Sequence, residues 1–277
     1  MPDALLSRAL PASLRRTRVA DGGIPSVELM GIEFAAMRES EVADHIVGKA
    51  AAGEGGWLIT PNLDILRQCF RSERVADLVK AADLRVADGM PLVWSSRLQG
   101  TPLPERVAGS SVVSLIAERA AGPGLRVFLL GGNPGAADGA ARTLLSRYAG
   151  LRIAGTYCPP LGFERDAEEL ERMERAVRLA NPHIVLVGLG FPKQELLIQR
   201  LRPACPTAWW LGIGITFSFL SGEVRRAPLW MQRSGLEWVH RIAQEPRRLA
   251  SRYLIHGVPF AARLLTMAAK QRLRTPL

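Results

Sequence analysis

Four short polar clusters in this chain carry residue types that can do chemistry, and each follows an apolar run. They are Thr60-Pro61-Asn62, Ala87-Asp88-Gly89, Gly131-Gly132-Asn133-Pro134-Gly135, and the stretch from Gly188 to Glu195. Asp88 is the candidate base, because a carboxylate beside glycine in a crevice can accept a proton from a hydroxyl nucleophile. An aspartate before Gly-Met-Pro suits a helix N-cap equally well, and the residues alone leave both roles open. In the fourth cluster Pro192 is suited to the first turn of a helix. Lys193, Gln194 and Glu195 would then crowd the opening turn, where unpaired N–H groups and a positive dipole end attract an anion. An ordinary strand-to-helix connection with a solvated first turn has the same appearance. Gly131 and Gly132 open a loop able to cradle a phosphate. That loop is not GxGxxG, and no acidic residue follows at ribose-binding spacing, which counts against a dinucleotide dehydrogenase.

Metal and covalent chemistry find little support in the residue pattern. There is no DxD pair to suggest a metal-bridged nucleotide-sugar site. Cys69, Cys158 and Cys205 form no CxxC or Cys/His cluster, as expected of free thiols in a reducing compartment. His45, His183, His240 and His256 stand apart, so neither a ligand set nor a Ser-His-Asp arrangement is suggested. No metal site and no cofactor are expected.

The elements that must position these clusters alternate regularly. Strands are expected over Trp57 to Thr60, Leu84 to Ala87, Arg126 to Leu130, Leu151 to Thr156, Ile184 to Val187 and Thr207 to Gly212. Helices are expected over Leu63 to Ala82, Ser111 to Ala121, Gly135 to Tyr148, Ala167 to Leu179 and Lys193 to Leu201. Strict alternation predicts an α/β fold, a Rossmann-like parallel sheet covered by helices on both faces. Ligands of such a sheet bind at the carboxyl ends of its strands, where all four clusters fall. The uncharged stretch from Pro203 to Gly222 contains turn-formers (Pro206, Gly212, Gly214), so it reads as a buried strand, a glycine turn and a short helix, not as a membrane span.

Charge divides the 277 residues unevenly. The chain is +10, with 36 Lys+Arg against 26 Asp+Glu. From Glu223 onward eleven basic residues face three acidic ones, so this tail supplies +8 of the total. Trp230, Leu236, Trp238, Leu249, Tyr253, Leu254 and Phe260 are interleaved with the arginines. That mixture fits an interfacial element lying on an anionic membrane surface, with solvated basic helices as the plainer reading. Nucleic acid is not expected as a partner, since no recognition motif accompanies the charge. The N-terminus has Leu5, Leu6 and Leu10 interrupted by arginines and shows no signal-peptide pattern. The expected organisation is therefore a poorly ordered lead-in over 1–26, an α/β catalytic domain over 27–222 and a basic helical appendage over 223–277.

Taken in order, the motifs have a further implication. They are T-P-N at 60–62, A-D-G-M-P at 87–91, E-R-V-A-G at 105–109, L-L-G-G at 129–132, G-L-G-F-P-K-Q-E at 188–195, R-A-P-L-W at 226–230, and G-L-E-W-V-H-R with E-P-R-R at 235–248. From about Val27 to about Tyr253 the chain resembles the WecG/TagA/CpsF glycosyltransferases, which build bacterial surface polysaccharides on lipid carriers. The resemblance implies an inverting transfer from a UDP-sugar donor to a polyprenyl-diphosphate-linked acceptor, without a required metal. It further implies that Asp88 is the general base and that Arg106 offsets charge on the leaving diphosphate. Thr60 and Asn62 would line the pocket, and Gln194 would hold the nucleotide sugar at the helix start, with Glu195, Gly131 and Gly132 as further substrate-binding candidates. Arg241 and Arg248 would close over the pocket and meet phosphates. A cytoplasmic protein, peripheral on the inner face of the plasma membrane, is expected.

Two positions depart from the family pattern. Ser218 in T-F-S-F-L-S-G and Ser111 after A-G-S stand where relatives commonly carry aspartate, and the first of these puts the details of base recognition in question. The alternatives are another sugar-nucleotide enzyme such as an epimerase, against which the missing GxGxxG argues, and a non-catalytic docking subunit of a polysaccharide assembly complex. The donor sugar, the acceptor saccharide and the oligomeric state are not readable from these residues.

Overall fold

The computed structural model describes residues 18–19 and 23–273, the side chains at 18, 19, 229, 233 and 248 excepted. An antiparallel sheet opens the fold, made of β1 (Arg18–Val19), β2 (Pro25–Leu29) and β3 (Ile32–Ala35). The β2–β3 turn places both Met30 and Gly31 at positive φ (51° and 81°), the backbone that a tight hairpin requires. The expected start of the fold near Val27 thus falls inside β2, and residues 1–17 and 20–22 of the lead-in lie outside the described residues.

The main sheet is built as the alternation predicts. In chain order come α1 (Glu39–Ala51), β4 (Gly56–Ile59), α2 (Leu63–Arg71), α3 (Glu73–Lys80), β5 (Leu84–Arg85), α4 (Met90–Gln99) and α5 (Gly109–Ala121). Then follow β6 (Arg126–Gly131), α6 (Ala136–Arg147), β7 (Arg152–Tyr157), α7 (Ala167–Ala180), β8 (Ile184–Gly188), α8 (Lys193–Leu201), β9 (Trp209–Gly212) and α9 (Thr216–Ser221). The six strands β5-β4-β9-β8-β6-β7 lie side by side in that order, every pair parallel.

Period-two alternation splits the strand side chains between two apolar layers. Trp57, Ile59, Val185, Val187 and Trp210 face the layer built with α2, α3, α7 and α8. Leu58, Ile184, Leu186, Trp209 and Leu211 face the other, built with α1, α5, α6 and α9. The stretch from Pro203 to Gly222 contains β9 and α9, as a strand, turn and short helix. Among the described residues no helix is long and apolar enough to cross a membrane.

Two departures have local causes. The helix expected over Leu63 to Ala82 breaks at Ser72, whose extended backbone (φ −141°, ψ 116°) ends α2 and whose Oγ accepts from Val75 N to cap α3. Helices α1 and α4 were not among those expected. The apolar residues of α1 fall at helical spacing on one face, Val42, Ala43, Ile46, Val47 and Ala50.

Beyond α9 the chain continues through α10 (Leu229–Arg233), α11 (Glu237–Gln244), α12 (Pro246–Ala250), a π-helical turn at Ser251–Gly257 and α13 (Val258–Leu273). This tail is helical, as its composition predicts, and it is not loosely attached. Phe260 and Leu264 of α13 enter the same apolar layer as Trp57 and Leu66, and α13 packs along α4.

Candidate active site

Because all six strands are parallel, the loops after β4, β5, β6, β8 and β9 emerge at one end of the sheet. The chain leaves β8 toward one face through α8, and leaves its neighbours β6 and β9 toward the other through α6 and α9. Diverging connections of this kind open a crevice between adjacent strand ends.

Backbone hydrogen bonds draw three of the predicted clusters together at this end. Asp88 N donates to Pro61 O (3.1 Å) and Val107 N donates to Ala87 O (2.9 Å), so the loops bearing Thr60, Asp88 and Arg106 touch. A Cβ on Gly109 would lie 3.5 Å from Thr60 Oγ1 and 3.7 Å from Ile213 Cα, which sets Thr60 against the first turn of α5 and the loop after β9. Asn62 Oδ1 accepts from Asp64 N (3.0 Å) and Ile65 N (3.1 Å), capping α2. Only its amide nitrogen remains to meet a ligand.

The two roles open to Asp88 are now separated. Gly89, at φ 142°, occupies the cap position of α4, and no side chain caps that helix. The carboxylate of Asp88 is thus not committed to capping. Burial pushes its pKa up to about 6, against the pull of Arg106 and Arg226, with Glu237 and Glu39 adding to the rise. A carboxylate of that strength is mostly ionised at neutral pH and still basic enough to take a proton.

Around Asp88 stands a charge cluster of which the sequence singled out only Arg106. Arg106 donates from Nη1 to Glu237 Oε2 at 2.7 Å, across 131 positions of sequence. Arg226 donates from Nη2 to Ser111 Oγ at 3.0 Å, and its Nε is 3.9 Å from Glu237 Oε1. Burial lowers the proton affinity of Arg106, but Asp88, Glu237 and Glu39 outweigh it and the guanidinium is held more firmly charged than usual. Glu39 accepts from Ala108 N (3.0 Å) at the start of α5. Burial raises its pKa, opposed by that bond, by Ser111 and by Arg106. Ser111 thus mediates between Glu39 and Arg226. Arg226, Glu237 and Glu39 were missed as site residues. The R-A-P and G-L-E-W motifs were the signal for the first two, and nothing marked Glu39.

The fourth cluster is tied into the neighbouring loops. Gln194 Oε1 accepts from both Gly190 N (3.1 Å) and Gly214 N (3.0 Å), while its Nε2 donates to Glu195 Oε1 (2.8 Å). Its carbonyl oxygen is thereby engaged by two backbone N–H groups, pinning the loop after β8 to the loop after β9. Glu195 is completely buried. Burial drives its pKa to about 7, hydrogen bonds from Gln194 and from its own backbone pulling the other way, and its Oε2 has no hydrogen-bond partner. These contacts tie the loops after β8 and β9 together beside the crevice, and a direct hold of Gln194 and Glu195 on the nucleotide sugar stays an expectation. Gly132 N donates to Gly188 O (2.7 Å), and a Cβ on Gly131 would meet Leu189 Cγ at 2.7 Å. These glycines allow close packing of two loops, and the amide of Gly132 is engaged by Gly188 O.

The tail crosses this end of the sheet. Gly235, at φ 76°, sits so close to α4 that a Cβ there would be 2.8 Å from Met90 Cγ. Arg252 reaches Asp64 at the start of α2 (Nε–Oδ2 3.1 Å). Arg241 lies four residues beyond Glu237, on the same face of α11. The Arg248 side chain lies outside the described residues. Ser218 is buried in α9. Among the described residues no group of three or more His, Cys, Asp or Glu is arranged to hold a metal ion.

Comparison with known proteins agrees with this geometry. The chain is 32% identical over 194 residues to the N-acetylglucosaminyldiphosphoundecaprenol N-acetyl-beta-D-mannosaminyltransferase of Bacillus subtilis (strain 168), a match covering 70% of this chain and 73% of that protein. The model of the Glycosyl transferase WecG/TagA/CpsF family matches residues 27–274, which takes in the sheet, the charge cluster and nearly all of the tail. The chain belongs to the WecG/TagA/CpsF family and is a glycosyltransferase.

Proposed function

We propose that this enzyme moves a sugar, with inversion, from a UDP-sugar to a hydroxyl of a polyprenyl-diphosphate-linked saccharide during surface-polysaccharide synthesis. The observation that carries the reading is Asp88: a carboxylate free of capping duty, with its pKa raised to about 6, next to two arginines. Asp88 takes the proton of the acceptor hydroxyl as that oxygen bonds to the anomeric carbon. The bond from that carbon to the diphosphate breaks, and the electron pair leaves with UDP. Arg106 stabilises the charge that accumulates on the diphosphate, most strongly in the transition state. Thr60 and the amide nitrogen of Asn62 orient the sugars, and Gln194 keeps the crevice in shape through Gly190 and Gly214. The printed name of the Bacillus subtilis relative makes UDP-N-acetylmannosamine the first donor to try and a prenyl-diphosphate N-acetylglucosamine the first acceptor.

The tail supports a membrane-facing orientation of the same site. It exposes Trp230 (63%), Leu254 (50%), Ile255 (65%) and Val258 (53%), with Arg225 and Arg247 also exposed. Apolar side chains flanked by arginines suit the interface of an anionic bilayer, and the crevice would then face its lipid-linked acceptor on the inner leaflet.

The test is transfer from a panel of UDP-sugars to a short-chain prenyl-diphosphate sugar, in the presence of a chelator. Transfer from one donor, reduced at least about 100-fold in Asp88→Asn, is expected for loss of a general base. Equal rates in the two proteins, or no transfer from any donor with lipid present, would overturn the proposal.

A further inference from the structure

The arginines beside Asp88 already hold an anion. Glu237 of α11 lies with Oε2 2.7 Å from Nη1 of Arg106 and Oε1 3.9 Å from Nε of Arg226, one carboxylate spanning two guanidinium groups. All three side chains are partly open to solvent, at 14%, 26% and 19% exposure for Arg106, Arg226 and Glu237. They can therefore change partners without unfolding the core. The carboxylate does not saturate the pair. Arg226 Nε is shielded from water and has no hydrogen-bond partner, and 3.9 Å is too long for such a bond. A diphosphate offers more acceptor oxygens and more charge than a carboxylate, and planar guanidinium forks suit it.

Charge balance weighs against both anions staying. The ionisable neighbours that act on Asp88 are Arg106 and Arg226 on one side, Glu237 and Glu39 on the other. With Asp88 itself, two cations face three carboxyl groups. Adding a diphosphate beside an unmoved Glu237 would heap negative charge in a half-buried crevice, where such repulsion is screened poorly.

We propose that Arg106 and Arg226 together form the receptor for the substrate's diphosphate, and that Glu237 is the internal anion that fills this receptor until the diphosphate displaces it and frees α11. The proposal rests on reading the crevice as a UDP-sugar site, and it adds Arg226 as a binding residue and Glu237 as a competitor.

Inorganic pyrophosphate is the probe, titrated calorimetrically into the full chain, with hydrogen exchange of α11 followed in parallel. Glu237→Gln should bind pyrophosphate at least about fivefold more tightly than the unaltered protein, the lower end of ordinary coupling between competing ligands. Arg226→Gln should bind it more weakly. In the unaltered protein, pyrophosphate should speed amide exchange over 237–244, a readout that needs no substitution. Unchanged or weaker binding by Glu237→Gln would overturn the proposal, as would slower or unchanged exchange in α11, because a clasp that is only structural gives those results. Sugar transfer without a gain in Glu237→Gln would remove this proposal and leave the reaction standing. A gain without transfer from any donor would do the reverse.

Discussion

Replacing Glu195 with glutamine should flatten the pH dependence of stability. Glu195 is fully buried, and its pKa rises from 4.5 to about 7 because ionisation inside the sheet-helix layer is opposed by desolvation. The native state therefore keeps a proton that the unfolded chain has released, from about pH 4.5 up to about pH 7. Stability from this group is present in full below the unfolded value and is lost as pH rises through the folded one. At about 1.4 kcal/mol per tenfold change in proton affinity, the loss between pH 5 and pH 8 is on the order of 2–3 kcal/mol. Glutamine has the same shape, keeps an oxygen for Gln194 Nε2 to donate to, and cannot ionise. Urea unfolding followed by tryptophan fluorescence at pH 5, 6, 7 and 8 measures the difference. The unaltered protein should lose roughly 2–3 kcal/mol more than Glu195→Gln across that range. Parallel profiles for the two proteins would refute the burial argument.

Other outcomes follow from the same geometry. With Asp88 raised to about 6, kcat/KM for transfer should fall about tenfold per pH unit below pH 6; an acid limb near pH 4 would show an ordinary, solvated carboxylate. Gly188→Ala would place a Cβ 2.7 Å from Phe217 Cδ2 and 3.1 Å from Gly214 O, costing roughly 1–3 kcal/mol by overpacking, and an unchanged thermal midpoint would contradict that contact. Replacing Trp230, Leu254 and Ile255 together by serine should weaken flotation on anionic vesicles at least about tenfold, since each withdraws apolar area worth about 1.5 kcal/mol or more from water. Equal flotation would count against docking through the tail.

The strands were readable because those of a parallel sheet are buried on both faces and appear as uncharged apolar runs ended by glycine, as at Ile184 to Gly188. Asp88 was readable as a candidate, but its rivalry with capping was decided by Gly89, whose φ of 142° gives it the cap position. What Gln194 does was not readable. Its carbonyl oxygen is engaged by Gly190 N and by Gly214 N, and the second of these depends on two βα loops meeting in space. The pairing of Arg106 with Glu237 spans even more chain. Periodicity describes how a segment meets its own neighbours, and it is silent on which distant charge will lie opposite.

The seating of Phe260 and Leu264 in the core changes what kind of ligand Glu237 is. The stretch from α9 to α13 is fastened at both ends, so Glu237 can leave its arginines but cannot drift away from them. Tethered groups of this sort act at an effective local concentration in the millimolar range for short flexible connections. Dilution does not lower it, and added substrate must outcompete it at every enzyme concentration. A weak single-anion metabolite would then be turned away at ordinary levels, while a ligand with two linked phosphates, gripping both arginines at once, would gain entry. Selectivity for diphosphates would in that case come less from the shape of the crevice than from a resident competitor that only a bidentate guest can outbid.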